Sequence, residues 1–168
     1  MEKTSAVHNI PPLYDKNSRV LILGSFPSVK SREAAFFYAH PQNRFWPTLA
    51  TLFGEETPKT VEEKRSLALR HGVALWDTIG SCEIVGSSDA SITNGVPNDL
   101  RVILDAADSR AVFCNGGTSY DSYNRYCRAA AGREAVKLPS TSPANARWTQ
   151  EKLLKAWRKA LGPYLSIV

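Results

Sequence analysis

The sequence predicts an α/β fold: a three-layer, open, mostly parallel four-stranded sheet flanked by helices. Two observations predict it. Short apolar runs at Val20–Leu23, Val73–Trp76, Ala111–Cys114 and, more weakly, Ala135–Leu138 alternate with segments of helical periodicity. Each run also ends in a turn signal: Gly24-Ser25, Asp77-Thr78, Asn115-Gly116-Gly117 and Pro139-Ser140. In open sheets of this kind ligands bind beyond the carboxyl ends of the strands, where all four signals fall.

The helices follow from spacing and caps. Asn43–Phe53 carries aromatic and apolar residues at helical intervals. Thr60–Arg70 opens with a capping box, Thr60 and Glu63. Asn98–Ala106 follows Pro97, and Thr118–Ala130 follows the double glycine. Thr149–Leu161 places Leu153, Leu154, Trp157, Ala160 and Leu161 on one side. Gly80–Gly95, rich in Ser and Gly, reads as a long surface loop. Residues 1–18 read as a segment that wraps the domain, with Pro11-Pro12-Leu13-Tyr14 docking on it.

The composition sets bounds on function. A chain of 168 residues with 43% apolar content is expected to form one domain, residues 1–168, with a real core. No apolar run approaches the ~20 residues of a membrane span, and the polar N-terminus has no signal-peptide core. A cytoplasmic protein without membrane contact is expected. The net charge of +5 suits a polyanionic partner, although many basic proteins never touch nucleic acid. Cys82, Cys114 and Cys127 are widely spaced and form neither a CxxC pair nor a disulfide framework, so buried reduced thiols are expected. No zinc-ligand spacing, P-loop, dinucleotide fingerprint or Gly-x-Ser-x-Gly elbow is present, so neither metal nor cofactor is expected.

Three motifs carry chemistry. The first strand runs into Gly24-Ser25-Phe26-Pro27-Ser28, a tight small-residue turn. Downstream lies Tyr38-Ala39-His40-Pro41-Gln42-Asn43-Arg44-Phe45-Trp46, a loop of aromatics, amides and Arg. The third is Leu138-Pro139-Ser140-Thr141-Ser142-Pro143-Ala144-Asn145-Ala146-Arg147. Together they resemble the motifs of the uracil-DNA glycosylase superfamily, and most of all its branch that excises hypoxanthine (deoxyinosine) from DNA. The Tyr38–Trp46 segment is similar to the FAHPxNRFW segment of mismatch-specific uracil glycosylases almost residue for residue. Branches with a four-cysteine iron–sulfur cluster are disfavoured, because three cysteines cannot supply its ligands.

The resemblance implies roles. Gly24, Ser25 and Phe26 would present backbone N–H groups to a flipped base. Most branches carry a catalytic Asp or Asn at the position of Phe26, which can neither orient water nor act as a base; the hypoxanthine branch shares this departure. Tyr38 matches the aromatic that stacks on the base. Asn43 would hold the attacking water in place of the missing residue; the alternative is that it caps the following helix. Phe45 and Trp46 read as core, and His40 as a structural hydrogen-bonding residue.

Asp77 aligns with the amide that reads the base in the uracil enzymes. A carboxylate only accepts hydrogen bonds, so it favours hypoxanthine, which presents N1–H, over adenine, which presents a bare N1. A turn-capping role is equally open to it. In the third motif, Leu138 stands where the family often has His. Ser28, Ser140, Thr141, Ser142 and Arg147 suit phosphate contacts, and Pro143 with Ala144 forms a small apolar wedge. Asn115-Gly116-Gly117 reads as a βα turn, and Lys152, Lys155, Arg158 and Lys159 as a solvated face.

The implied activity is that of a monofunctional DNA glycosylase acting, as a monomer, on double-stranded DNA and on single strands as well. Uracil or xanthine specificity is an alternative within that class. A non-catalytic α/β module that binds nucleic acid is an alternative outside it.

Overall fold

A computed structural model describes residues 2–168; Met1 of the N-terminal segment lies outside the described residues. Four strands form a parallel sheet: β2 (Val20–Gly24), β3 (Val73–Asp77), β6 (Ala111–Asn115) and β7 (Ala135–Leu138). Their order is β3-β2-β6-β7, with β2 central and paired in register to Val73–Asp77 on one side and Ala111–Cys114 on the other. Strand β2 is buried along its whole length, as a strand covered on both faces must be.

Alternation along the strands separates two cores. Val20, Ile22, Val73, Leu75 and Phe113 face one layer. It is built by α2 (Phe45–Leu52), α3 (Val61–Arg70) and α7 (Gln150–Leu161). Leu21, Leu23, Ala74, Val112 and Cys114 face the other. There sit α4 (Arg101–Leu104) and the succession α5 (Gly117–Ser122), a π-helical turn (Tyr123–Cys127) and α6 (Arg128–Ala131). The helix ends follow local chemistry. Thr60 accepts from the N–H of Glu63 at 3.1 Å, and Thr149 from that of Lys152 at 3.2 Å. A short helix absent from the sequence reading, α1 (Val29–Ala34), is capped by Ser28. The predicted Asn98–Ala106 helix shrinks to the single turn of α4.

The Gly80–Gly95 expectation is corrected. Strands β4 (Ile79–Ile84) and β5 (Thr93–Pro97) occupy its two ends, half of its length. They join β1 (Thr4–Val7) in an antiparallel sheet of order β1-β4-β5. Two register shifts interrupt the β4–β5 ladder. They break the period of two, so Ile79, Cys82 and Ile84, all buried, do not alternate in the sequence.

The N-terminal segment lies along the edge of β3. Leu13 and Leu75 exchange backbone hydrogen bonds at 3.0 and 2.9 Å, and the Trp76 indole donates to the Ile10 carbonyl at 3.2 Å. This covers an edge that would otherwise be open to pairing. No helix among the described residues is long and apolar enough to cross a membrane.

Candidate active site

The carboxyl ends of the four parallel strands open into one pocket of about 310 Å³. Gly24, Ser25, Phe26 and Ser28 line it from the turn after β2, Asp77 from the end of β3 and Asn115 from the end of β6. Ser140, Thr141, Ser142 and Pro143 close it from the loop after β7, with Tyr38 and Asn43 contributed by the loop before α2. Arg147 lies outside this lining and is exposed. A crevice around Arg19, Arg70, His71 and Gly72, at the opposite end of β3, contains none of the motif residues.

The turn after β2 is held from below. The Gly24 and Ser25 carbonyls accept from the N–H groups of Thr78 and Ile79 at 2.9 and 3.0 Å. The Phe26 side chain is buried and packs with Ile79, Cys82 and Ile84. Arg32 lies over its ring and donates to the Pro27 and Gly86 carbonyls. Gly24 is required by space: a Cβ there would sit 2.3 Å from Asp77 Oδ1 and 3.3 Å from the Tyr38 hydroxyl.

Asp77 is 4% exposed, and its Oδ2 lies 2.7 Å from His8 Nε2. His8 comes from the N-terminal segment and carries no local motif; only the three-dimensional path of the chain reveals it. Tyr38 adopts φ +53°, uncommon for a bulky residue. One face of its ring stacks on Phe45 at 4.1 Å. Its hydroxyl is buried with no hydrogen-bond partner among the described residues. Burial first, and the neighbouring Asp77 charge second, hold its pKa far above the ordinary phenol value.

Asn43 is the hub of the upper wall. Its Oδ1 accepts from the Phe45 N–H at 2.9 Å and from the Thr141 hydroxyl at 2.8 Å. Both lone pairs of that oxygen are thereby used, while Nδ2 has no protein partner among the described residues. Thr141 is fully buried. It also accepts from Asn115 Nδ2 at 2.9 Å, and its N–H donates to Asn115 Oδ1 at 3.0 Å. Its side chain therefore holds the wall together and is not placed to meet a phosphate.

Gly116 makes this junction possible. Its φ is +98°, and a Cβ would stand 3.0 Å from Ser140 Cβ. Arg44, which the motif contains but to which sequence reasoning gave no role, donates to the carbonyls of Trp148 and Asn145. The loop is braced further by Trp157, whose indole donates to the Pro139 carbonyl at 3.0 Å. Ser28 caps α1, and Ser140 and Ser142 accept from the N–H groups of Ser142 and Ala144. The three cysteines are buried and unpaired. Among the described residues no group of three or more His, Cys, Asp or Glu is arranged to hold a metal ion.

A doubly covered parallel sheet with a pocket at its carboxyl edge defines an α/β protein whose candidate site lies where such sheets bind their ligands. The family model of the uracil DNA glycosylase superfamily matches residues 11–161, and the chain belongs to that superfamily. It is 31% identical over 143 residues to the hypoxanthine DNA glycosylase of Methanosarcina acetivorans, covering 84% of this chain and 90% of that one. It is 33% identical over 138 residues to that of Methanosarcina barkeri, covering 82% and 87%. A solution NMR structure from M. acetivorans, provisionally assigned as a uracil DNA glycosylase, superposes with a TM-score of 0.74 at 28% identity. The match covers 89% of this chain and 95% of that one.

Proposed function

We propose that this protein is a monofunctional DNA glycosylase that takes hypoxanthine out of the duplex stack and hydrolyses its bond to deoxyribose. The observation that carries the proposal is the convergence of Gly24–Phe26, Tyr38, Asn43 and Asp77 in one pocket of about 310 Å³, large enough for a purine. The names of the two Methanosarcina relatives support the choice of base.

The chemistry follows from the groups present. The bond from C1′ to the purine nitrogen breaks, and its electron pair leaves with the base. The sugar passes through an oxocarbenium-like state, and water adds at C1′ and releases a proton, leaving an abasic site. Asp77 accepts from N1–H of the base and so selects against adenine. Backbone N–H groups at Ser25 and Phe26 polarise the leaving purine. The free Nδ2 of Asn43 holds the water. An oxocarbenium ion needs a positioned water more than a strong base, which suits an amide. Tyr38 borders the base, and Ser28, Ser140, Ser142 and Arg147 meet the DNA backbone, with Pro143 at the vacated stack. Thr141 acts through the wall it builds.

A monomer acting in the cytoplasm, on nucleoid DNA and on single strands, completes the reading. The chain, residues 1–168, acts as one domain in this reading. Uracil and xanthine also present an N–H beside a carbonyl, so Asp77 accommodates them in principle. Duplexes carrying one inosine, uracil, xanthine or adenine, treated with the protein and then with alkali, test the proposal. Cleavage fastest at inosine and absent at adenine is expected. Cleavage at none of them would remove it.

A further inference from the structure

We infer that His8 is a positioning residue for Asp77, and that it keeps the carboxylate in the hydrogen-bonding state that selects a lactam base. The inference rests on Asp77 reading the base edge as proposed above. Its geometry is specific. His8 Nε2 lies 2.7 Å from Asp77 Oδ2, with the two side chains 4% and 6% exposed. The other ring nitrogen, Nδ1, accepts from the Ile10 N–H at 3.3 Å. A nitrogen that accepts carries no proton, so these partners put the ring hydrogen on Nε2, from which it is donated to Asp77.

The ring is also fixed in orientation. It packs edge-on against Phe26, at 6.1 Å and 78°, and against Trp76, at 6.2 Å and 90°. Phe26, unable to orient water itself, thus forms a wall for the histidine. Docking of the segment does not depend on the His8 side chain. Its backbone N–H donates to the Gly80 carbonyl at 2.7 Å, and Leu13 pairs with Leu75.

His8 is the one side chain among the described residues that hydrogen-bonds the Asp77 carboxylate. A buried carboxylate without a donor has nothing to hold it in one orientation and turns away. A carboxylate turned away no longer presents its acceptor oxygen to the N1–H of hypoxanthine. With His8 donating to Oδ2, Oδ1 remains an acceptor on the side of Gly24, where the absent Cβ leaves room for it. The N-terminal segment then contributes to substrate selection although it lies outside the three motifs.

The test uses the full chain and single-turnover excision from an inosine duplex, with melting curves on every variant. His8→Ala is expected to slow excision about tenfold, the lower end of the cost of losing a hydrogen bond to a charged group. His8→Gln, whose amide N–H can reach Oδ2, should restore most of that loss. In an Asp77→Asn background His8→Ala should add no further loss, because groups that act through one another are not additive. His8→Ala should also narrow the ratio by which free hypoxanthine outcompetes free adenine as an inhibitor. Losses from His8→Ala and Asp77→Asn that multiply would overturn the inference. So would a normally folded His8→Gln as slow as His8→Ala. If His8→Ala does not fold, the same cycle run with His8→Phe decides. A parent protein inactive on every duplex would instead remove the functional reading itself, so the two failures are distinct.

Discussion

The hydroxyl of Thr141 donates to Oδ1 of Asn43 at 2.8 Å, across 98 residues of sequence. This bond joins the loop before α2 to the loop after β7. It also fixes which end of the Asn43 amide faces a ligand. Because the Phe45 N–H occupies the same oxygen, the free functionality of Asn43 is its NH2 group.

Substitutions at Asn43 should therefore separate structure from chemistry. Asn43→Asp keeps an oxygen for Phe45 and Thr141 but has no donor. It should melt close to the parent yet excise inosine on the order of 10²-fold more slowly in single turnover. Asn43→Ala should show that loss together with destabilisation of about 1 kcal/mol. Parent-rate excision by a folded Asn43→Asp would reduce Asn43 to a structural residue.

Thr141→Val should act on stability first. It removes one hydroxyl that both donates and accepts, leaving Asn43 and Asn115 half-satisfied in a partly buried site. A loss of about 1–3 kcal/mol in urea unfolding is expected. Thr141→Ser, which keeps the hydroxyl, should lose less than half as much. Equal losses would mean that the methyl packing matters and the network does not.

Gly24→Ala tests the crowding between turn and carboxylate. The new Cβ would meet Asp77 Oδ1 at 2.3 Å, so the carboxylate must move by an ångström or more. Displacement of that size costs on the order of 10²-fold in rate where geometry governs catalysis. Affinity for undamaged duplex should be unchanged, because the proposed phosphate contacts lie elsewhere. Excision at the parent rate would mean that Asp77 has no part in holding the base.

Arg147→Ala should lower affinity for damaged and undamaged duplex alike. Arg147 is exposed on the loop after β7, and a phosphate contact carries no sequence information. The slope of log affinity against log salt should fall by about 0.9 if one contact is lost. An unchanged slope would place the residue off the DNA path.

Much of the fold was legible because its signals are local. Val20–Leu23, Val73–Trp76, Ala111–Cys114 and Ala135–Leu138 are apolar runs that end in turn residues, and each forms a parallel strand. Thr60 caps its helix as the capping box implied, and Thr149, read as the first residue of a helix, proves to be its cap. The Gly80–Gly95 stretch conceals its strands because bulges destroy the period by which strands are recognised.

By itself, the sequence determined the four parallel strands, the carboxyl edge on which they open, and the motif residues gathered there. Those follow from hydrophobic period, turn chemistry and residue type, all of which act over a few positions. Only the tertiary structure decided what each side chain does at that edge. It gave Asp77 a histidine from a segment that carries no motif, consumed the Asn43 oxygen in two internal bonds, and turned Thr141 inward. Such pairings depend on which distant segments the packed sheet brings within 3 Å, and short-range sequence pattern holds no record of them.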